Sequence, residues 1–186
     1  MRDTDDPGLR RALLLIDFQY DFLADDGRMP VDRSQVEPVV QAARAAIERA
    51  QGSGDLVIQI GNEFRSSDFV GNAFRHRAAM AGSPGADWDP RVDAGNSVYL
   101  AKWKSSAFCN PELSQLLKDH QIEQVCLAGL FARACVTATA KEALAQGLQV
   151  QLLVDAIACK SNASRSAALA RLARRRMQLV ADGSEA

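Results

Sequence analysis

The sequence is poor in the residues that several common kinds of site require. It contains two histidines and four cysteines, and no two cysteines form a C-x-x-C pair, so a zinc site has little raw material. No apolar run approaches the roughly 18 residues of a membrane span, and the polar start MRDTDDPGLRR is unlike a signal peptide. These absences predict a cytoplasmic protein with no membrane partner, in a reducing compartment where disulfides are not expected.

Excess charge of one sign is also missing. The net charge is −1, so no overall field attracts nucleic acid, and we expect no nucleic-acid partner. The cluster RLARRR (171–176) lies on a predicted helix with an apolar stripe, where a solvated face is favoured over an anion-binding or nucleic-acid-binding surface. No G-x-G-x-x-G follows either of the first two predicted strands, which argues against a dinucleotide-binding protein.

What the sequence does contain is an alternation of apolar strands and amphipathic helices. It predicts an α/β fold, a three-layer α/β/α Rossmann-like domain with a mostly parallel six-stranded sheet, in the strand order 3-2-1-4-5-6. Residues 1–186 are predicted to form one domain, with flexible tails at 1–9 and 182–186. The predicted strands are 11–18, 55–61, 97–102, 124–129, 148–156 and 177–180. The predicted helices are 34–51 with Ser34 as N-cap, 111–121, 134–147 and 164–176.

Three reactive side chains follow strands that end at the same edge of this sheet. Asp17 ends the first strand, Lys102 ends the third, and Cys135 follows the fourth, where a helix should begin. A thiol attacks carbon electrophiles as a thiolate, which a helix N-terminus stabilises and a nearby carboxylate can generate as general base. A lysine between the two anions would offset their repulsion. The three residues therefore suit a nucleophilic site without histidine.

Each of these residues also has an ordinary structural explanation. An aspartate at a strand end is commonly a cap, a lysine there is usually solvated, and a buried cysteine is most often an inert small apolar residue. A non-catalytic α/β binding module is therefore an alternative interpretation. The long connection 61–96, rich in Gly, Pro, Asn and Asp, favours function, since such loops in compact domains are usually functional.

Three segments resemble the isochorismatase-like cysteine hydrolases. LLLIDFQYDFL is similar to that family's D-x-Q-x-x-F strand end, AKWKSSAF to its K-x-x-x-S-x-F lysine segment, and GLFARACVTATAKEALAQGLQVQLLVDA to its nucleophile segment. The resemblance implies hydrolysis of an amide or carbamoyl C–N bond through a cysteine thioester. It assigns Cys135 as nucleophile, Asp17 as base and Lys102, rather than Lys104, as the stabilising cation.

The same resemblance implies further features of the site. It implies a non-proline cis peptide between Leu130 and Phe131, and an oxyanion hole formed by the backbone N–H groups of Phe131 and Cys135. The candidate substrate-binding residues are Phe22, Asn62, Phe64, Trp103, Phe108 and Arg133. The small-molecule substrate is left open among small amides, carbamoyl compounds and ureido acids. A homodimer or homotetramer is expected.

Two departures from relatives narrow the expected chemistry. Nicotinamidase-type members of the family hold a metal with an aspartate and several histidines after the second strand, whereas this region has His76 alone. We therefore predict no catalytic metal and no cofactor, which weakens nicotinamide or pyrazinamide as substrates. Vinyl-ether hydrolysis, the reaction of true isochorismatases, is a further alternative, but those enzymes characteristically lack a cysteine at the position of Cys135.

Overall fold

The computed structural model describes residues 9–95, 97–175 and 177–181, and its strands form a single parallel sheet. The strands are β1 (Arg11–Ile16), β2 (Leu56–Asn62), β3 (Val98–Lys102), β4 (Gln124–Leu130), β5 (Gln149–Ala158) and β6 (Gln178–Val180). Their order is β3-β2-β1-β4-β5-β6, and each neighbouring pair is parallel. The predicted fold class and strand order are confirmed.

Helices flank this sheet in a three-layer α/β/α arrangement. Residues Ala12–Ile16 of the central strand β1 are each at most 2% exposed, because both faces of the strand are covered. The helices are α1 (Tyr20–Leu23), α2 (Arg33–Gly52), α3 (Phe69–Phe74), α4 (Pro111–Asp119), α5 (Thr137–Ala145) and α6 (Asn162–Ala173). Helix α2 packs against β1, β2, β4 and β5, so it covers the middle of the sheet. No helix in the described part of the chain is both long and apolar enough to cross a bilayer.

Helix α2 begins one residue earlier than predicted, and its cap is different. The N-cap is Asp32, whose carboxylate accepts hydrogen bonds from the backbone N–H (3.0 Å) and the hydroxyl (2.7 Å) of Ser34. The prediction of Ser34 as N-cap was wrong because an aspartate two residues earlier can satisfy an unpaired N–H of the first turn.

The segment around Cys135 also differs from the prediction. Helix α5 begins at Thr137, and residues Ala132–Val136 form a wider, π-helical turn before it. The Thr137 hydroxyl donates to the carbonyl of Ala132, five residues earlier, at 2.5 Å. Cys135 therefore lies in an irregular turn between β4 and the regular helix, a type of geometry that is frequent at functional sites.

The connection between β2 and β3 contains more regular structure than its sequence indicated. It includes α3 and two 3₁₀ turns, Pro84–Ala86 and Pro90–Val92. It is hydrogen-bonded to the segment that follows β1. The bonds run from the backbone N–H of Tyr20 to Asp87 O (3.0 Å), of Asp89 to Phe18 O (2.9 Å), and of Ala79 to Asp21 Oδ2 (2.8 Å).

Strands β1 and β4 approach each other closely at the edge where the site lies. Gly129 of β4 has φ +143°, and a Cβ there would lie 2.2 Å from the carbonyl oxygen of Ile16. Only glycine permits this approach, which brings the residues after β4 next to the residue after β1. The predicted tails at 1–9 and 182–186 fall, apart from Leu9, outside the described residues.

Candidate active site

Asp17, Lys102 and Cys135 meet at the carboxyl ends of the strands. The ammonium of Lys102 lies 3.0 Å from Asp17 Oδ2 and 3.3 Å from Cys135 Sγ. Asp17 and Lys102 are fully buried and Cys135 is 7% exposed, so the cysteine is the most exposed of the three. Lys104, the alternative lysine, is exposed. The structure thus brings together the three residues that the sequence placed at one edge.

The backbone at Asp17 leaves the strand in an unusual conformation. Asp17 has φ +62°, a left-handed geometry that aspartate tolerates better than most residues. Its N–H still donates to Ile60 O of β2 at 2.8 Å, and its carbonyl accepts from Gln19 N at 2.8 Å. A buried charged residue held in this conformation at a strand end is a typical feature of a functional site.

Asn62, predicted as a substrate-binding residue, contacts the triad formed by Asp17, Lys102 and Cys135. Its Oδ1 accepts a hydrogen bond from Lys102 Nζ at 2.6 Å, and its Nδ2 lies 4.0 Å from Cys135 Sγ. Lys102 Nζ also donates to the backbone carbonyl of Lys104 at 3.3 Å. The ammonium therefore has neutral acceptors on two sides in addition to the carboxylate and the sulfur.

Burial and charge shift all three proton affinities. Burial raises the pKa of the Asp17 carboxyl, although the Lys102 ammonium, the Cys135 thiol and the Asn62 backbone amide act in the opposite direction. Burial lowers the pKa of the Lys102 ammonium, but Asp17 and Cys135 outweigh this effect, so the pKa of Lys102 is raised. Burial and Asp17 raise the pKa of Cys135 to about 11, against the lowering effect of Lys102.

These shifts correct one expectation. The helix N-terminus was expected to acidify the thiol, whereas the pKa of Cys135 is raised because the desolvation of a buried thiolate outweighs its favourable contacts. At neutral pH the sulfur therefore carries its proton and Lys102 is charged. Transfer of that proton from Cys135 to Asp17 leaves the total charge of the site unchanged, so the buried cluster can generate a thiolate without burying additional charge.

The strand end before Cys135 contains a cis peptide bond between Leu130 and Phe131, at the position that the resemblance implied. The Phe131 ring lies edge to face with Phe22, with ring centroids 5.5 Å apart. Phe22 therefore borders the segment that leads to Cys135. The assignment of the Phe131 and Cys135 N–H groups to an oxyanion hole stays a prediction.

The other predicted substrate-binding residues lie in different environments. Phe64 and Phe108 are buried, and the guanidinium of Arg75 covers the Phe64 ring at 3.9 Å. Trp103 is half-buried beneath the guanidinium of Arg65, 5.1 Å from its ring centre, and Arg133 is exposed. Of the six predicted residues, Asn62 contacts the triad and Phe22 contacts Phe131. Substrate contact by all six stays a prediction.

The donors after β2 do not fit a metal site. Glu63 accepts from the Tyr99 hydroxyl at 3.1 Å, Asp68 forms an ion pair with Arg75, and His76 is exposed. Among the described residues, no three side chains of the types His, Cys, Asp and Glu are grouped so that they could hold a metal ion.

Sequence reasoning missed Gln19 and Thr139, two polar residues that are fully buried beside the site. Gln19 hydrogen-bonds both backbone groups of Asn62, and the Thr139 hydroxyl accepts from Ala107 N at 3.0 Å, which joins α5 to the segment after Lys102. The glutamine stands in the D-x-Q pattern, which was the available signal. Nothing in the local sequence distinguished Thr139 from Thr137, the other threonine of that helix.

Comparison with known proteins agrees with this architecture. The chain is 26% identical to nicotinamidase/pyrazinamidase of Mycobacterium tuberculosis, over 91% of this chain and 98% of that protein. It is 26% identical to streptothricin hydrolase of Streptomyces noursei over 78% of this chain, but it spans only about half (53%) of that relative. The crystal structure of an isochorismatase-like hydrolase from Alkaliphilus metalliredigens superposes with a TM-score of 0.82 and 26% identity, covering 91% of this chain and 93% of that one. The sequence model of the isochorismatase domain matches residues 11–183, and the chain therefore belongs to the isochorismatase family.

Proposed function

We propose that the protein is a cysteine hydrolase that cleaves an amide or carbamoyl C–N bond of a small molecule through a thioester. The observation that carries the proposal is the buried Lys102 ammonium in contact with both the Asp17 carboxylate and the Cys135 sulfur. A buried cation with two such partners costs desolvation energy. An inert scaffold has no need of this arrangement, whereas a thiolate–carboxylate site does. The name of one relative, nicotinamidase/pyrazinamidase, describes an amide hydrolase.

Acylation would begin with proton transfer from the Cys135 sulfur to Asp17. The raised pKa of the Asp17 carboxyl makes it a better base than an ordinary aspartate. The thiolate then attacks the substrate carbonyl carbon, and the C=O π electrons move to oxygen. When the tetrahedral intermediate collapses, Asp17 returns the proton to the leaving nitrogen, the C–N bond breaks and a Cys135 thioester remains. Lys102 stays protonated throughout, because the pKa of its ammonium is raised.

Deacylation would use the same groups with water as the nucleophile. Asp17 takes a proton from water, the resulting hydroxide attacks the thioester carbon, and the proton returns to sulfur as the acid leaves. In both halves negative charge develops on the substrate oxygen. We assign its stabilisation to the N–H groups of Phe131 and Cys135, and one such donor is worth about 3 kcal/mol of barrier.

The substrate class follows from what surrounds the triad. The residues after β2 do not fit a metal, so we propose substrates that need none for their anchoring, namely small amides, carbamoyl compounds or ureido acids. Phe22, Phe64, Trp103 and Phe108 are proposed apolar walls, and Arg133 is a proposed contact for a planar oxygen group. A homodimer or homotetramer and a cytoplasmic location stay predictions.

A panel of small amides tests the reaction, with ammonia or amine release and intact-mass spectrometry as readouts. Cys135→Ala should abolish turnover and the acyl adduct while leaving the fold intact. Cys126→Ala is the matched control, since the Cys126 thiol donates to Gln151 in the middle of the sheet and its burial raises its pKa to about 12. Turnover by Cys135→Ala would remove the nucleophile assignment. Unreactive Cys135 in the native protein would favour a binding module, and hydrolysis of a vinyl ether without an adduct would favour isochorismatase chemistry.

A further inference from the structure

The side chain of Gln19 makes three hydrogen bonds beside the site, all of them to backbone groups. Its side chain is fully buried. Its Oε1 accepts from Asn62 N at 2.8 Å, and its Nε2 donates to Asn62 O at 2.9 Å and to Ala86 O at 2.7 Å. Both amide hydrogens are used. The amide thus pairs with Asn62 as a neighbouring strand would, at the point where β2 ends.

This pairing fixes the residue that holds the lysine. Asn62 is the last residue of β2, and its side chain accepts from Lys102 Nζ at 2.6 Å, the shortest contact that the ammonium makes with its four acceptors. The position of the Asn62 side chain depends on how firmly the Asn62 backbone is held, and Gln19 pairs with that backbone. Loss of the pairing with Gln19 would allow the Asn62 backbone to shift, and with it the oxygen that accepts from the Lys102 ammonium.

The third hydrogen bond, from Gln19 Nε2 to Ala86 O, joins the glutamine to the connection between β2 and β3. Ala86 lies in the 3₁₀ turn of the long connection. Gln19 itself forms an antiparallel bridge with Trp88 of the same connection. Gln19 is therefore hydrogen-bonded both to β2 and to this connection, which restricts rotation of its amide away from Asn62.

We propose that Gln19 is a positioning residue that acts through Asn62 to hold the Lys102 ammonium against the Cys135 sulfur. The inference rests on the proposed function, in which that ammonium stabilises the thiolate. It assigns to Gln19 a role in the proton equilibrium of the cysteine rather than in folding alone. Loss of the glutamine should make the thiolate harder to form.

The test measures the alkylation of Cys135 by iodoacetamide between pH 6 and 11, with peptide mass spectrometry to separate it from the other cysteines. Gln19→Met keeps the side-chain length and removes all three hydrogen bonds. We expect its rate at pH 8 to fall about tenfold, which corresponds to a rise of about one unit in the pKa of the thiol. The difference should narrow towards pH 11, near the pKa of the native thiol, because the variant thiol also begins to ionise there.

Gln35→Met is the matched control. Gln35 is also buried, and its Oε1 accepts from Cys159 N at 3.0 Å, so its loss removes a buried hydrogen bond away from the triad. It should lower the unfolding free energy yet keep the native alkylation profile. If Gln19→Met does not fold, Gln19→Asn, whose shorter amide cannot reach both Asn62 and Ala86, should show the same shift.

A native profile in the folded Gln19 variant would overturn the positioning role even if its stability falls. That outcome leaves the proposed function standing, because the native Cys135 would still react. Absence of any Cys135 alkylation in the native protein would instead remove the nucleophile and, with it, the role of Gln19.

Discussion

Replacing Lys102 by methionine removes the only charge that compensates Asp17 at close range among the described residues, and its effect can be worked out from the structure. Both residues are fully buried, and the ion pair measures 3.0 Å. Neither carboxylate oxygen makes another hydrogen bond of normal geometry to described residues. Removing one partner of a buried pair leaves an uncompensated charge and costs about 3–5 kcal/mol. Lys102→Met should therefore lower the free energy of unfolding by about that amount at pH 8 and abolish thiolate formation.

The loss of unfolding free energy in Lys102→Met should depend on pH, and the pKa of Asp17 sets the direction of that dependence. Without the lysine, the pKa of Asp17 in the folded state rises further above its unfolded value of about 4. The folded state then binds more protons than the unfolded state, so stability falls as the pH rises from about 4 towards the folded pKa, by up to about 1.4 kcal/mol per pH unit. Urea unfolding followed by circular dichroism at pH 5 and pH 8 measures this difference directly.

The double variant Asp17→Asn/Lys102→Met supplies the control. It removes both charges, so it should be more stable at pH 8 than Lys102→Met by about 2 kcal/mol, and its stability should lose most of the pH dependence. Equal destabilisation of Lys102→Met at pH 5 and pH 8, or no recovery in the double variant, would refute the view that Asp17 and Lys102 form a compensated buried pair.

Three other predictions follow from the same geometry. Asp17→Asn should fold but form no acyl adduct at Cys135, because no base accepts the thiol proton; a normal acylation burst in stopped-flow assays would exclude Asp17 as base. Exhaustive chelation should leave amide turnover unchanged, whereas a loss that added metal restores would contradict the metal-free mechanism. Gly129→Ala should cost more than about 1 kcal/mol of stability, because its Cβ would meet the Ile16 carbonyl at 2.2 Å. The control Gly52→Ala, which has no atom within 4 Å of the added Cβ, should be neutral; equal unfolding free energies would contradict the close approach of the two strands.

The strand order and the sharing of one edge by Asp17, Lys102 and Cys135 were predictable because both follow from patterns along the chain. Continuous apolar runs such as residues 12–16 form strands that are buried on both faces, and the helices between them impose parallel pairing. Parallel strands end at the same edge, so residues that directly follow them are neighbours. The choice of Lys102 over Lys104 came from motif spacing, and the structure places Lys102 beside Asp17 and Cys135.

Local conformation was less predictable, because competing short-range hydrogen bonds decide it. Asp32 rather than Ser34 caps α2, and the Thr137 hydroxyl bonds the Ala132 carbonyl across a π-helical turn that the helical pattern of the segment did not indicate. The left-handed backbone of Asp17 also has no signature in the apolar run that precedes it.

The architecture and the identities of the candidate reactive side chains could be read from the chain alone, since apolar periodicity and motif order are properties of the sequence. The tertiary structure alone decided the hydrogen-bonded network around those side chains and their proton affinities. Gln19, Asn62 and Lys102 are far apart in the sequence, and the raised pKa of Cys135, about 11, results from burial by residues from several strands and turns. Desolvation and contact distance depend on three-dimensional packing, which no short stretch of sequence specifies.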